Sequence, residues 1–561
     1  MVSNSSPSHL PVLIVGAGPS GLSLAASLTK LEIPVRIIER KPGLSETSKA
    51  TNLMQGTQEK LDIFGLAEPM VSLSGKMSRM VMEAYGAQLG ARTMHLEESP
   101  FPDVLLLGQD NIEKSLAYSL DRLGKEIEFN TSLIHLTQDQ EIVKVVLQKN
   151  KESFDALDLD FKEEKDYHAG DKPVITWEEY FSYVIACDGP WGITRSFTQC
   201  DFKPLKTGRS IRQVDARLKW KRLGSLKQMW LFYFPAGFMV VVPLLEGYYR
   251  ILSIEPTESI PDRKPTLIEM QNKLRDISRD QTVELVDPKW FSYTELTMGI
   301  APKLIDHRVI LVGDAGNPIL PNGGQGLNTG IQDSLNLAWK LAFVWKGEGK
   351  SRLLETYQEE RWPLRQALEK VQFNSLKYTT KPPRIMQWVL SKFGNSLLNM
   401  GELAMAKAFS QLGVDYKKSS LSHKGKFKGP IGGDRILDAD VREASTGMDK
   451  SIFKELSFPE WKILIFDANQ KKETKDFSFL ARLKIPRIKL LFINANLEIR
   501  HKEYEEMGIS VFFDIDLLAH KVYGIRKPSL LLIRPDNYIS LRTEKLDGSE
   551  ILDFQEIWYN K

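Results

Sequence analysis

Short apolar runs that stop abruptly on glycine recur three times along the chain. Residues 11–15 (PVLIV) lead into Gly16, Gly18 and Gly21, after which Leu22 to Leu31 carry apolar residues at helical spacing. Residues 183–187 (YVIAC) end on Asp188 and Gly189. Residues 309–312 (VILV) end on Gly313 and Asp314, and a loop with Pro318, Pro321, Gly323, Gly324 and Gly326 follows. Leu327, Ile331, Leu335, Ala338 and Leu341 then repeat with the period of a helix. Such runs predict buried strands, and the 3.6-residue period predicts helices packed on them. The expected core is therefore α/β, with the unit strand–glycine loop–helix used twice.

Between these units the pattern changes. Ile112, Leu116 and Leu120 form an apolar stripe that predicts a helix opening near Gly108. Residues 127–147 alternate enough to predict a hairpin, and 148–172 form a charged insertion. From 199 to 299, short apolar and aromatic runs at Trp230, Phe238 and Tyr248 alternate with Pro/Gly turns, predicting an antiparallel sheet. No linker isolates that region, so the α/β domain is expected to be discontinuous, spanning 10–198 and 300–380. Helical patterns cover Leu353 to Lys377 and Ile385 to Leu412, the second giving a helical segment over 381–425. From 426 to 561, runs at Trp461, Ile488 and Ser529 predict a further α/β unit. Residues 1–9, rich in Ser, Asn and Pro, are expected to be disordered.

Composition narrows the function classes. Of 561 residues, 42% are hydrophobic and 26% charged, as in ordinary globular enzymes, and the net charge of +3 favours neither nucleic acid nor a membrane surface as partner. Only two cysteines are present, Cys187 and Cys200, so no disulfide framework is expected and a reducing, cytoplasmic setting is the default. No apolar stretch reaches the roughly 20 residues of a membrane span, and Gly16, Gly18 and Pro19 break the segment that might pass for a signal peptide. No metal site is expected.

The glycine loops carry the chemistry. Gly16, Gly18 and Gly21 form a G-x-G-x-x-G between strand and helix, and a second strand ends at Glu39, 23 positions after Gly16. Gly16 permits the tight turn, Gly18 lets a pyrophosphate approach, Gly21 lets helix and strand pack, and Glu39 suits the ribose hydroxyls of a dinucleotide. Arg40 beside it is a further cofactor contact. The loop ahead of Leu327 presents bare backbone N–H groups at a helix N-terminus, which suits an anion or an electron-rich carbonyl edge. Two nucleotide-contacting loops so far apart imply one long ligand lying across the domain.

The stretch 313–341 (GDAGNPILPNGGQGLNTGIQDSLNLAWKL) resembles the second FAD motif of the single-component aromatic hydroxylases, flavoprotein monooxygenases related to phenol hydroxylase and 4-hydroxybenzoate hydroxylase. Asp188, Gly189 and Arg195 match the same family's DG motif, with Gly192 where Ser is common. Residues 45–66 are similar to its segment near the flavin phosphates, with Lys49 where the family has Arg, and with Thr51 and Asn52 where phenol hydroxylase has an acid. GPIGGDRI at 429–436 and RPDNY at 534–538 resemble the features that frame that enzyme's thioredoxin-like C-terminal domain.

The resemblance implies an FAD-binding Rossmann-like domain, an inserted antiparallel sheet over 199–299 that shapes the substrate pocket, and a thioredoxin-like unit over 426–561. That last unit contains no cysteine, so a structural or homodimer-forming role is what remains for it. The implied cofactor is FAD, with NADPH or NADH as cosubstrate, and the partners are O2 and a small aromatic substrate, hydroxylated through a flavin C4a-hydroperoxide. Implied cofactor contacts are Gln109, Asp188, Gly189, Arg195 and Lys49, Asp314 on the ribityl hydroxyls, and the backbone of Gly324, Gly326, Leu327 and Asn328 along the flavin N1/O2 edge. Pro321 would shape the loop by the reacting ring, and Tyr233 is a pocket candidate. Asn317 replaces the family's usual His. A hydroxylase of a non-phenolic polyketide, terpenoid or quinone precursor shares every one of these motifs, and a flavin-binding protein without turnover is the alternative from another class.

Overall fold

A computed structural model describes residues 10–46, 50–84, 87–150, 174–224, 228–235, 237–319, 324–380, 402–423, 425–467, 478–495 and 501–560. The expected N-terminal disorder, nearly all of the charged insertion, Lys49, Pro321 and residues 381–401 of the helical segment lie outside the described residues.

The three apolar runs become the centre of one six-stranded sheet, in the order 305–306, 309–311, 183–186, 12–15, 35–38, 127–128. Val12–Val15 pairs in parallel with Val35–Ile38 on one side and Tyr183–Ala186 on the other, and Val309–Leu311 lies parallel beyond it. Only the edge strand Ile305–Asp306 is antiparallel. Central strands of a parallel sheet are covered on both faces, which is why these runs do not alternate. Helices Pro19–Lys30 and Gln325–Trp345 pack against each other over this sheet. Part of the 127–147 expectation changes: the hairpin proper is Thr131–Gln138 with Val143–Asn150, joined by Val174–Phe181, whereas Ile127–Glu128 extends the parallel sheet.

The aromatic-rich region forms a seven-stranded sheet that takes in more chain than the 199–299 boundary allows. The hairpin Arg79–Ala84 and Ala87–Thr93 completes it, Arg79–Ala84 running parallel to Gln228–Phe234. Side chains alternate between its faces. Val81, Trp230, Phe232, Met239 and Val241 pack on Met270 and Leu274 of helix Leu267–Ser278. The other face presents Met80, Met82, Met229 and Val242, packed with Met54 and with Val104 and Leu106 from a small three-stranded sheet. The covering helix begins with a reciprocal cap: Thr266 Oγ1 accepts from the Glu269 backbone N–H, and the Glu269 carboxylate accepts from that of Thr266. Replacing Thr266 with alanine removes one half of this box and should cost about 1 kcal/mol in denaturant unfolding, with no effect on flavin content.

Strands from Asp440–Glu443 to Ile539–Thr543 form a second seven-stranded sheet whose middle strands Trp461–Asp467, Ile488–Asn494 and Ile509–Phe513 are parallel, with Ser529–Ile533 antiparallel to Trp461–Asp467 and Ile539–Thr543 antiparallel to it in turn. The turn between the last two is the RPDNY sequence, closed by Arg534 and Tyr538 with Asn537 left-handed. Helix Arg352–Thr380 touches both strands Gln228–Phe234 and Gly237–Pro243 and the helix Gln325–Trp345, so it ties the sheet of aromatics to the nucleotide-binding layer.

Candidate flavin site

Three chain segments distant in sequence meet at the C-terminal ends of the parallel strands, where open α/β sheets bind ligands. Gly16 has φ +103°, and a Cβ there would lie 2.5 Å from the Cys187 carbonyl oxygen, so the first glycine loop rests directly on the DG turn. A Cβ on Gly21 would fall 1.9 Å from the Gly16 carbonyl oxygen. A Cβ on Gly18 meets nothing within 4 Å, so the loop leaves open space at the start of helix Pro19–Lys30, whose Gly18 cap carries no side-chain hydrogen bond. The third segment arrives through Ser20: Cβ atoms placed on Gly313 and Gly330 would lie 2.6 and 2.4 Å from its Oγ. Gly330 is thus a packing residue that no local pattern singles out.

Hydrogen-bond acceptors ring this space. Glu39 accepts from the backbone N–H of Ala17 at 2.9 Å and of Lys41 at 3.0 Å, which fixes its carboxylate beside the loop with lone pairs left over. Exposed Arg40 follows it. Asp188 Oδ2 accepts from the Thr194 backbone N–H at 2.9 Å and from its hydroxyl at 2.7 Å, while Asp188 Oδ1 is buried with no hydrogen-bond partner. Burial pushes the Asp188 carboxyl up from the ordinary range, against the pull of Thr194. Any side chain at Gly192 would run into this carboxylate, a Cβ falling 2.1 Å from Asp188 Cγ, so glycine replaces the family's common Ser to make room for Asp188. Arg195 donates to the carbonyls of Gly189 and Pro190 and lies over the Phe202 ring, so its guanidinium braces the DG turn. Asp314 is half-buried in the turn Gly313–Ala315.

Gly324 is left-handed at φ +67° and caps helix Gln325–Trp345 without a side-chain bond. The helix start therefore directs the backbone N–H groups of Gly326 and Leu327 away from any intrahelical acceptor. The Asn328 side chain is a clip: Oδ1 accepts from the Met54 N–H at 2.8 Å and Nδ2 donates to the carbonyls of Asn52 at 3.0 Å and Gly324 at 2.9 Å. Gln109 opens helix Gln109–Asp121 and donates to Glu113 at 2.8 Å, so its amide is also in use within the protein. Asn317, where the family has His, is buried and donates to the Gly299 carbonyl. Tyr233 is half-buried, 6.3 Å from the Phe238 ring, on the methionine-bearing face of the large sheet.

Asp333 is a further positioning group. Fully buried, it accepts from the Gly313 N–H at 3.4 Å and is held by Arg361 at 2.6 Å and by Arg365. The turn before Asp314 is thus anchored from behind by helix Arg352–Thr380. The ensemble sets helix N-termini and the carboxylates of Glu39 and Asp188 around a glycine-lined space. That combination fits a ligand that is anionic in the middle and rich in hydroxyls, as FAD is.

The family model described as FAD binding domain matches residues 9–160 and 180–372, the greater part of the chain, and the chain belongs to that family of FAD-dependent monooxygenases. A flavin-dependent monooxygenase of Mycobacteroides abscessus is 28% identical over 372 residues, covering 63% of this chain and 72% of its own. The pentachlorophenol 4-monooxygenase of Sphingobium chlorophenolicum is 25% identical over 447 residues, covering 77% and 76%. Among solved structures, the anhydrotetracycline hydroxylase OxyS of Streptomyces rimosus has the same fold, with a TM-score of 0.72 and 22% identity over 98% of this chain and 99% of that one. Among the described residues no helix is long and apolar enough to cross a membrane, and no group of side chains could hold a metal ion.

Proposed function

We propose that this chain hydroxylates a phenolic or other electron-rich aromatic ring, with NADPH or NADH as electron donor and O2 as oxygen source. The observation that carries the reading is the meeting of the Gly16 loop, the Asp188 turn and the Gly313 turn, with the Asp188 Oδ1 acceptor left over. Bound there, FAD supplies hydride acceptance and oxygen activation, chemistry that no side chain provides.

The residues then bind and orient. The first turn of helix Pro19–Lys30 receives the pyrophosphate, Glu39 the adenosine ribose with Arg40 alongside, and Asp188 and Asp314 the ribityl hydroxyls. The backbone N–H groups of Gly326 and Leu327 would hold the flavin at the helix start and would stabilise negative charge that develops on its N1/O2 edge. Arg195 holds the Gly189 turn in shape, and Asp333 holds Asp314. Lys49 and Pro321 complete the phosphate and ring ends, and Tyr233 borders the substrate. Relatives named for pentachlorophenol and anhydrotetracycline support an aromatic substrate. For residues 426–561 we propose a thioredoxin-like structural unit that also serves a homodimer, to be checked by sedimentation of the intact chain.

The test is NADPH and NADH consumption by the purified yellow protein across a panel of phenols, with product masses. Consumption stimulated by a phenol, with gain of one oxygen atom, is expected. Failure to take up FAD overturns the reading, and bound FAD without stimulation by any aromatic compound reduces it to a flavin-binding protein.

A further inference from the structure

Asn52 stands next to the flavin helix with a function that the fold does not consume. Asn52 lies opposite Leu106 across the small sheet, and its carbonyl accepts from Asn328. Its side chain is only 7% exposed, and Oδ1 is buried without a hydrogen-bond partner. Alternation along the strand fixes where that side chain goes. Leu53 and its cross-strand partner Leu105 belong to the nucleotide-binding core, whereas Leu106, the partner of Asn52, belongs to the methionine cluster with Met54 and Val104. The carboxamide accordingly projects to the methionine side. It also lies at the helix cap: a Cβ on Gly324 would come within 3.7 Å of Asn52 Nδ2 and 3.6 Å of Met54 Cε.

The surroundings are apolar. Met80, Met82, Met94 and Met229 are buried there, and Leu231 and Tyr233 add half-buried surface. Methionines adapt to flat or irregular apolar bodies and favour aromatic rings. An unpartnered amide among them costs stability unless a ligand satisfies it. Resting on the flavoenzyme reading above, we infer that Asn52 is the substrate-positioning residue, its carboxamide oxygen accepting a hydrogen bond from a ring hydroxyl of an otherwise apolar, multi-ring aromatic substrate. A carboxamide does not ionise, so the contact holds the hydroxyl without removing its proton.

The test compares 2-naphthol with 2-methoxynaphthalene, which lacks the donor, by titration into the FAD-loaded protein without NADPH, following the flavin absorbance spectrum. The expected preference of the wild type for 2-naphthol is about tenfold, the factor of one hydrogen bond in an apolar site. Asn52→Leu should lower that preference to about onefold at unchanged flavin content. Asn52→Asp, nearly identical in shape, retains an acceptor, and its preference should rise with pH as the new carboxyl ionises while the wild type stays level. Equal affinity of the wild type for the two probes, no binding of either to the yellow protein, or an unchanged preference in Asn52→Leu overturns the inference. If Asn52→Leu is colourless, a pH-independent preference in Asn52→Asp overturns it. A wild type that cannot hold FAD instead removes the flavoenzyme reading itself.

Discussion

An alanine at position 21 is expected to yield a protein that purifies without flavin. Its Cβ would lie 1.9 Å from the Gly16 carbonyl oxygen and 3.1 Å from the Gly16 carbonyl carbon, and both are backbone atoms that cannot rotate away. Gly16 in turn is held at φ +103° with its own Cβ direction blocked by Cys187, so the loop cannot retreat toward the DG turn. The helix Pro19–Lys30 must lift off the sheet, carrying its first-turn N–H groups away from the pyrophosphate. FAD affinity should fall by at least about a hundredfold, with a loss of fold stability of about 1–3 kcal/mol from overpacking. The absorbance ratio at 450 and 280 nm and a fluorescence titration with FAD measure the first, and urea unfolding without flavin measures the second. Gly18→Ala provides the contrast. Its Cβ meets no protein atom within 4 Å, so the apoprotein should unfold as the wild type does while flavin binding still drops. A Gly18→Ala protein that keeps its colour and affinity would place the pyrophosphate elsewhere.

The contrast between these glycines shows why the loops of the candidate site were legible in the sequence. Turns, close approaches and helix starts are local, so Gly16, Gly21, Glu39, Asp188 and Gly324 can be read from spacing and the apolar runs around them. The inserted sheet was legible as strands, but not its membership. Arg79–Ala84 joins it by parallel pairing with Gln228–Phe234 across a long separation, and a run such as RMVMEA carries no mark of its partner. Asn328 was legible as part of the flavin motif, but its side-chain clip was not, because the donors and acceptors that occupy it come from residues 52–54. The pairing of Asp333 with Arg361 and Arg365 was invisible for the same reason. A charged residue within a helical stripe reads as a solvated face until the partner that buries it is known.

The same invisibility covers the residue whose removal should cost most in stability, Arg534. It lies in the RPDNY turn, fully buried, and donates to both oxygens of Glu360 at 2.6 and 2.9 Å and to both of Asp536 at 2.9 and 2.6 Å. Glu360 also accepts from Lys340 at 2.7 Å, from Asn336 at 2.8 Å and from Ser419 at 2.7 Å, and Trp339, Tyr416 and Tyr538 surround the guanidinium. Asn336 and Lys340 belong to helix Gln325–Trp345, so this cluster fixes residues 534–538 onto that helix. Arg534→Met keeps the volume and leaves two carboxylates buried with their main counter-charge gone. A loss of about 3–5 kcal/mol in urea unfolding is expected. Replacing Glu360 by methionine as well should recover part of it, since an apolar pair leaves less uncompensated charge. The pH dependence separates charge from packing. Burial pushes the Glu360 carboxyl up, but Arg534 and Lys340 more than offset this and hold it well below the usual range. Its contribution is therefore present above the unfolded glutamate value near about 4.3 and is lost as pH falls through the lower folded value. Between those limits wild-type stability should fall by up to about 1.4 kcal/mol per pH unit from this group alone. Arg534→Met, in which burial is no longer opposed by the guanidinium, should show a shallower acid limb. An equal slope in the two proteins would mean that Arg534 stabilises the turn by packing against its aromatic neighbours and not through Glu360.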